Sequence, residues 1–111
     1  MPAPLPTSSV FGRRLRAARR VAGLSQVELG ALLGMNEKAA SSRLSRYERG
    51  EREPDHETLA ALSDVLGVPP AYFHASSDAL AEVILLVARL PAERQQGVLN
   101  LIKDYLAPSQ P

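Results

Sequence analysis

The chain has 111 residues, 45% apolar and 5% aromatic, with a formal net charge of +1 and no cysteine. That length fits one ordinary domain, or a small domain with an appendage, with enough apolar material for a core, which excludes a disordered tail. Disulfides, thiolate catalysis and cysteine zinc sites are excluded, and His56 and His74 lack the spacing of metal ligands, so neither a metal nor another cofactor is expected.

Alanine and leucine dominate and no stretch alternates with the period of a strand, so the expected class is all-α. The small net charge conceals a division. Ser9 to Glu53 carries ten basic against five acidic residues, and the rest carries three against seven. Such asymmetry suggests a polyanion-binding half and a half with another task. No targeting signal is recognisable, and the most apolar run, Ala79 to Leu90, holds Glu82 and Arg89 and falls short of the roughly 20 residues that span a bilayer. A cytoplasmic protein without membrane contact is expected.

In chain order, residues 1–8 contain three prolines and are expected to form a disordered arm. Ser8 or Ser9 can cap a first helix whose Phe11, Leu15, Ala18 and Ala22 form one core-facing stripe, and Gly23 ends it. Ser25 lies three residues ahead of Glu28, a capping box that should start a second helix with Val27, Leu29, Leu32 and Leu33 on its apolar side. Gly30, a poor helix former, makes sense there if another backbone passes close by; Gly34 ends the helix.

The next helix, read at about 100° per residue from Leu44, has Glu48 and Tyr47 on an inner face. Ser42 and Arg46 point the opposite way, flanked by Arg43, Ser45 and Arg49, with no acid on that side. Taken alone, this is as readily an ordinary solvated face as one that reaches into DNA.

Gly50 should be its C′ residue, and Glu51 to Pro54 a turn. Asp55 caps a fourth helix with Leu59, Leu62 and Leu66 buried, Gly67 stops it, and Pro69 to Phe73 reads as a short fifth helix that plugs Tyr72 and Phe73 into the core. Ser76-Ser77-Asp78 marks a linker and a new cap, placing a boundary near residue 75. A chain ending at Ala75 is therefore expected to fold by itself.

Beyond it, helices to about Leu90 and from about Ala92 to Leu106 should pair as an antiparallel hairpin over residues 76–107, leaving 108–111 as a disordered tail. Leu80, Val83, Ile84, Leu86 and Val87, with Val98, Leu101, Ile102 and Tyr105, give this pair more apolar surface than it can cover alone, so it is assigned to dimerisation. Folding back on the N-terminal unit would account for one stripe per helix.

LSQVELGALLG, LSRYERGEREP and TLAALSDVLGVP resemble the helix-turn-helix of the phage repressor and Cro family, the XRE-type regulators, over roughly residues 10 to 73. This sequence departs from the family pattern between Gly34 and Glu48, where Met35 to Ala40 adds about four residues, one helical turn. Asn36 could cap a helix one turn longer, but the favoured reading is a longer loop with the helix starting near Ala40.

The resemblance implies a five-helix repressor-like DNA-binding domain over residues 9–75, followed by the C-terminal hairpin. It further implies a sequence-specific transcriptional regulator, a repressor binding a palindromic operator in double-stranded DNA as a homodimer. By matching positions, Ser41, Ser42 and Arg46, with Ser45 adjacent, would meet base edges, and Gln26 would hold a backbone phosphate. Arg43, Arg49 and Arg52 are further phosphate candidates. Arg19 and Glu48 match an Arg and a Glu of the family and should form an internal ion pair. A second class is an antitoxin or adaptor that grips a protein partner through the acidic hairpin. No catalytic constellation is present, so no enzyme is expected; the only lysines are Lys38 and Lys103.

Overall fold

In the computed structural model, which describes residues 9–108, six α-helices follow one another: α1 Val10–Val21, α2 Gln26–Leu32, α3 Glu37–Glu48, α4 His56–Leu66, α5 Asp78–Ala88 and α6 Ala92–Leu106, with a 3-10 turn at Pro70–His74. The chain is all-α. The arm expected over residues 1–8 lies outside the described residues, as does the expected tail apart from Pro108.

Five of the six helix starts have a side-chain cap. Ser9 Oγ accepts from the Gly12 amide at 3.0 Å, Asn36 Oδ1 from Ala39 at 2.9 Å, Asp55 Oδ1 from Thr58 at 2.8 Å and Ser77 Oγ from Leu80 at 3.0 Å. At α2 the exchange is reciprocal, with Ser25 Oγ accepting from the Glu28 amide and Glu28 Oε1 from the Ser25 amide. Each cap satisfies a donor that the first helical turn leaves without a partner. The Ser25 backbone amide also holds the Glu28 carboxyl below its ordinary pKa.

One expectation is corrected. α3 does not begin near Ala40 after a longer loop: the added residues form a regular first turn, because Asn36 supplies the cap and Gly30 lets α3 come close. A Cβ at Gly30 would lie 2.2 Å from that of Ala40, so only glycine permits this crossing of α2 and α3. The expected short fifth helix is present as a five-residue 3-10 helix, Pro70–His74, with Pro70 in its first turn and Tyr72 and Phe73 buried.

Phe73, Leu15, Leu29, Leu44 and Leu62 are the largest fully buried side chains and draw the N-terminal elements together. The Phe11 and Phe73 rings lie 5.2 Å apart and Tyr72 meets Phe73 edge-on at 5.7 Å, each such ring burying a large apolar area. Ala22 and Leu32 are exposed, so the first stripe stops at Ala18 and the apolar side of α2 is Val27, Leu29 and Leu33.

The boundary near residue 75 passes through this core. Ala75 and Ala81 are each 3% exposed and belong to it, with Ile84 and Leu85 packed against it. One face of α5 is therefore part of the N-terminal unit, so a chain cut at Ala75 would expose apolar surface. Ile84, assigned above to dimerisation, faces this core. α6 has no buried residue. It meets α5 at the Pro91 corner, where the Gln95 amide donates to the Val87 and Leu90 carbonyls at 3.1 and 3.2 Å.

Candidate nucleic-acid interface

α1 and α2 fix the outer surface of α3. Leu44, Tyr47 and Glu48 anchor it inward, and Ala40 seats it on Gly30 of α2. The helical period then sends Ser41, Ser42, Arg43 and Arg46 to solvent, with Ser45 half-buried. Because α3 starts a turn earlier than expected, Glu37 precedes Ser41 by one turn and Lys38 precedes Ser42, so this surface does hold an acid at its leading end. Val27 of α2 floors a depression rimmed by Glu37, Lys38, Ser41 and Ser42.

The position of α3 against α1 is held by charge. Arg19 Nε donates to Glu48 Oε2 at 2.6 Å and Arg19 Nη2 to Oε1 at 3.0 Å, a fork-on-fork pair with side chains 12% and 5% exposed. The hydrogen bonds that Arg19 donates to Glu48 raise the guanidinium pKa above its ordinary value. Arg19 Nη1 also donates to the Leu24 carbonyl at 2.9 Å, which ties the α1–α2 turn into the same network. Sequence reasoning missed Gly12 as a partner in this contact. A Cβ there would fall 2.3 Å from the Glu48 carbonyl oxygen, so α1 meets the end of α3 backbone to backbone.

Gln26 opens α2 half-buried and donates to Glu48 Oε1 at 3.3 Å, so the residue expected on a phosphate is joined to the ion pair in the free protein. Arg49 pairs with Glu51, both largely exposed, while Arg52 is exposed. Arg43 and Arg52 both lie near enough to Asp55 to favour its charged form, although the Thr58 backbone amide is the main reason its carboxyl stays below the ordinary range. Arg43 and Arg52 thus lie near the start of α4, Arg49 is paired with Glu51, and Arg46 has no charged partner among the described residues.

The model of the helix-turn-helix domain family matches residues 10–74. The chain belongs to this family. Its relatives are phage-repressor-like, XRE-type regulators. The repressor protein C2 of Salmonella phage P22 is 37% identical over 65 residues, 59% of this chain and 28% of that protein. The HTH-type transcriptional regulator ImmR of Bacillus subtilis (strain 168) is 39% identical over 62 residues, 56% of this chain and 46% of that protein. The chain spans about half or less of the length of these curated relatives.

Among solved structures, the transcriptional regulator BswR matches with a TM-score of 0.76 and 44% identity, covering 84% of this chain and 92% of that one. The P22 c2 repressor in complex with synthetic operator 9T matches with a TM-score of 0.51 and 36% identity, covering 60% of this chain and 94% of that one. The likeness to BswR therefore reaches past the helix-turn-helix unit into the α5–α6 pair.

Of the nine residues expected at a dimer contact, Leu80, Val83, Leu86, Leu101, Ile102 and Tyr105 are exposed, and Ile84, Val87 and Val98 are half-buried. Val83, Ile84, Val87, Val98, Leu99 and Ile102 line a groove of about 400 Å³ between α5 and α6. Among the described residues no helix is long and apolar enough to cross a membrane.

Proposed function

We propose that the protein is a repressor that binds a palindromic operator in double-stranded DNA as a homodimer. The observation that carries this is the exposed Ser/Arg surface of α3, held by α1 and α2 in a helix-turn-helix unit similar to that of a repressor solved with its operator. Arg46 is the principal reader, since a free guanidinium can pair in bidentate fashion with O6 and N7 of guanine. Ser41, Ser42 and Ser45 read bases less selectively and leave part of the discrimination to DNA shape. Gln26, Arg43, Arg49 and Arg52 contact phosphates, which position the helix without specifying sequence. Gln26 would do so while Glu48 still orients its amide.

Dimerisation falls to the outward face of α5 and to α6. A pair of helices with this much exposed apolar side chain is completed by a second copy as a four-helix bundle. Two recognition helices can then lie roughly 34 Å apart, one turn of B-DNA.

Selection of bound sequences from random DNA tests the reading as a whole, and an enriched palindrome is the expected result. Arg46→Ala should weaken binding to that site by about 1 to 3 kcal/mol and relax one base pair per half-site, whereas Gln26→Ala should weaken all sequences alike. An unchanged consensus with Arg46→Ala would refute the docking. The groove between α5 and α6 also favours a second reading, an antitoxin or adaptor that holds a protein partner there. A partner retained through affinity purification after nuclease treatment, together with no enriched DNA, would establish that instead.

A further inference from the structure

α1 carries five arginines, and two of them, Arg14 and Arg19, are withdrawn from the surface. Arg14 is buried. Its Nη2 donates to the Ala75 carbonyl at 3.1 Å and its Nη1 to Asp78 Oδ1 at 2.6 Å, while its Nε is buried without a partner among the described residues. Burying a guanidinium that cannot shed its charge is costly, and here the cost is only partly offset, since Asp78 itself has a side chain 98% exposed. Stability alone is a poor reason for this arrangement, because a methionine of similar length would fill the same space without an unpaired donor.

What Arg14 does hold is a joint. Ala75 is the last residue before the turn into α5, and Asp78 is the first residue of α5, so both hydrogen bonds grip the point where the helical pair leaves the helix-turn-helix unit. Five residues further along α1, Arg19 grips Glu48 at the end of the recognition helix. α1 is thus a strut with a guanidinium clamp on each neighbour, one on α3 and one on α5. Ala81, Ile84 and Leu85 also pack α5 onto the core, but apolar packing is non-directional and tolerates rotation of a helix in its seat. A planar guanidinium bonded to two acceptors does not.

We infer that Arg14 is a positioning residue that fixes the angle between the helical pair and the recognition helix, and thereby the half-site separation that the dimer accepts. This rests on the reading of α5 and α6 as the dimerisation element. Arg14 touches no DNA. Its loss should leave the sequence preference within each half-site intact and broaden the spacing between half-sites that is bound.

The test uses the full chain as wild type, Arg14→Met, and Asp78→Ala, whose exposed side chain can be removed without opening the core. Each is first sedimented and melted. Each is then offered a library with the selected half-site held constant and the spacer varied one base pair at a time. The expected result is a sharp spacing optimum for wild type, and for both variants a folded dimer with the same half-site consensus and an optimum flattened at least threefold between adjacent spacings. Folded dimeric variants with the wild-type spacing profile overturn the inference and leave the dimer reading standing. A wild-type chain that sediments as a monomer and binds single half-sites overturns both. If Arg14→Met unfolds, Asp78→Ala decides the matter by itself.

Discussion

Each of α1 to α4 contributes buried residues to one core, whereas α6 contributes none across its 15 residues, although both regions are rich in leucine and valine. α5 belongs to both. Leu85 packs on the core while its neighbour Leu86 is 54% exposed, and Tyr105 on α6 is 88% exposed. Apolar content therefore does not by itself identify a core. What separates the regions is whether the chain supplies the opposing surface, and for the outward face of α5 and for α6 it does not.

The sharpest way to break this contrast is to attack the closed region at its bidentate ion pair. Glu48→Ala strands the Arg19 guanidinium and should cost roughly 3 to 5 kcal/mol, read as a large fall in melting temperature. An unchanged melt would mean that solvent already screens the pair.

Next in size is the comparison within α5. Leu85→Ala should cost about 1 to 2 kcal/mol, less than the roughly 2 to 5 kcal/mol of a fully buried leucine, at every protein concentration. Leu86→Ala should instead lower the melting temperature in a concentration-dependent way, because in the proposed dimer its partner surface lies on another molecule. If both losses were independent of concentration, the contrast between the two faces would fail.

Removing a cap inside the closed region should do less. Asn36→Ala leaves the Ala39 amide without its acceptor and should cost about 1 kcal/mol, with loss of helical ellipticity confined to the first turn of α3. No change in stability would mean that water replaces the cap without loss.

The smallest effect expected is on pH dependence. The Thr58 amide lowers the Asp55 pKa, so the contribution of this cap is fully present above the ordinary carboxylate pKa and is lost as pH falls through the depressed value. Melting curves taken below about pH 4 should show wild type losing more stability than Asp55→Asn. Parallel loss in the two proteins would assign the acid sensitivity to other carboxylates.

Signals carried by neighbours in sequence were legible. The capping box at Ser25, the stop at Gly34, the caps at Asp55 and Ser77 and the crossing at Gly30 all depend on residues within a turn or on one close contact. The start of α3 is legible too, since Asn36 ahead of Glu37 and Ala39 is a complete local cap; what the sequence hides is that close contact at Gly30 and Ala40 lets a helix one turn longer stay seated on α2.

Arg14 was not legible. It is chemically identical to Arg13 and Arg16 beside it, and only the docking of a helix more than 60 residues later decides which of them is buried. The doubled face of α5 was hidden for a related reason. Ala81, Ile84 and Leu85 face the core, but Ala81, the one fully buried member, is an alanine, which adds little to an apolar pattern and much to close packing.

The crossing of α2 over α3 also limits how the family unit can drift by mutation. A Cβ at position 30 would stand 2.2 Å from the Ala40 Cβ and 2.9 Å from the Ala40 Cα, so even glycine at position 40 would leave a backbone atom in its way. Gly30→Ala therefore has no compensating change at its partner, whereas Ala40→Gly removes a buried methyl and loosens a helix without opening a second route. The contact is a one-sided lock, in which position 30 is held to glycine by backbone and not by the side chain it faces.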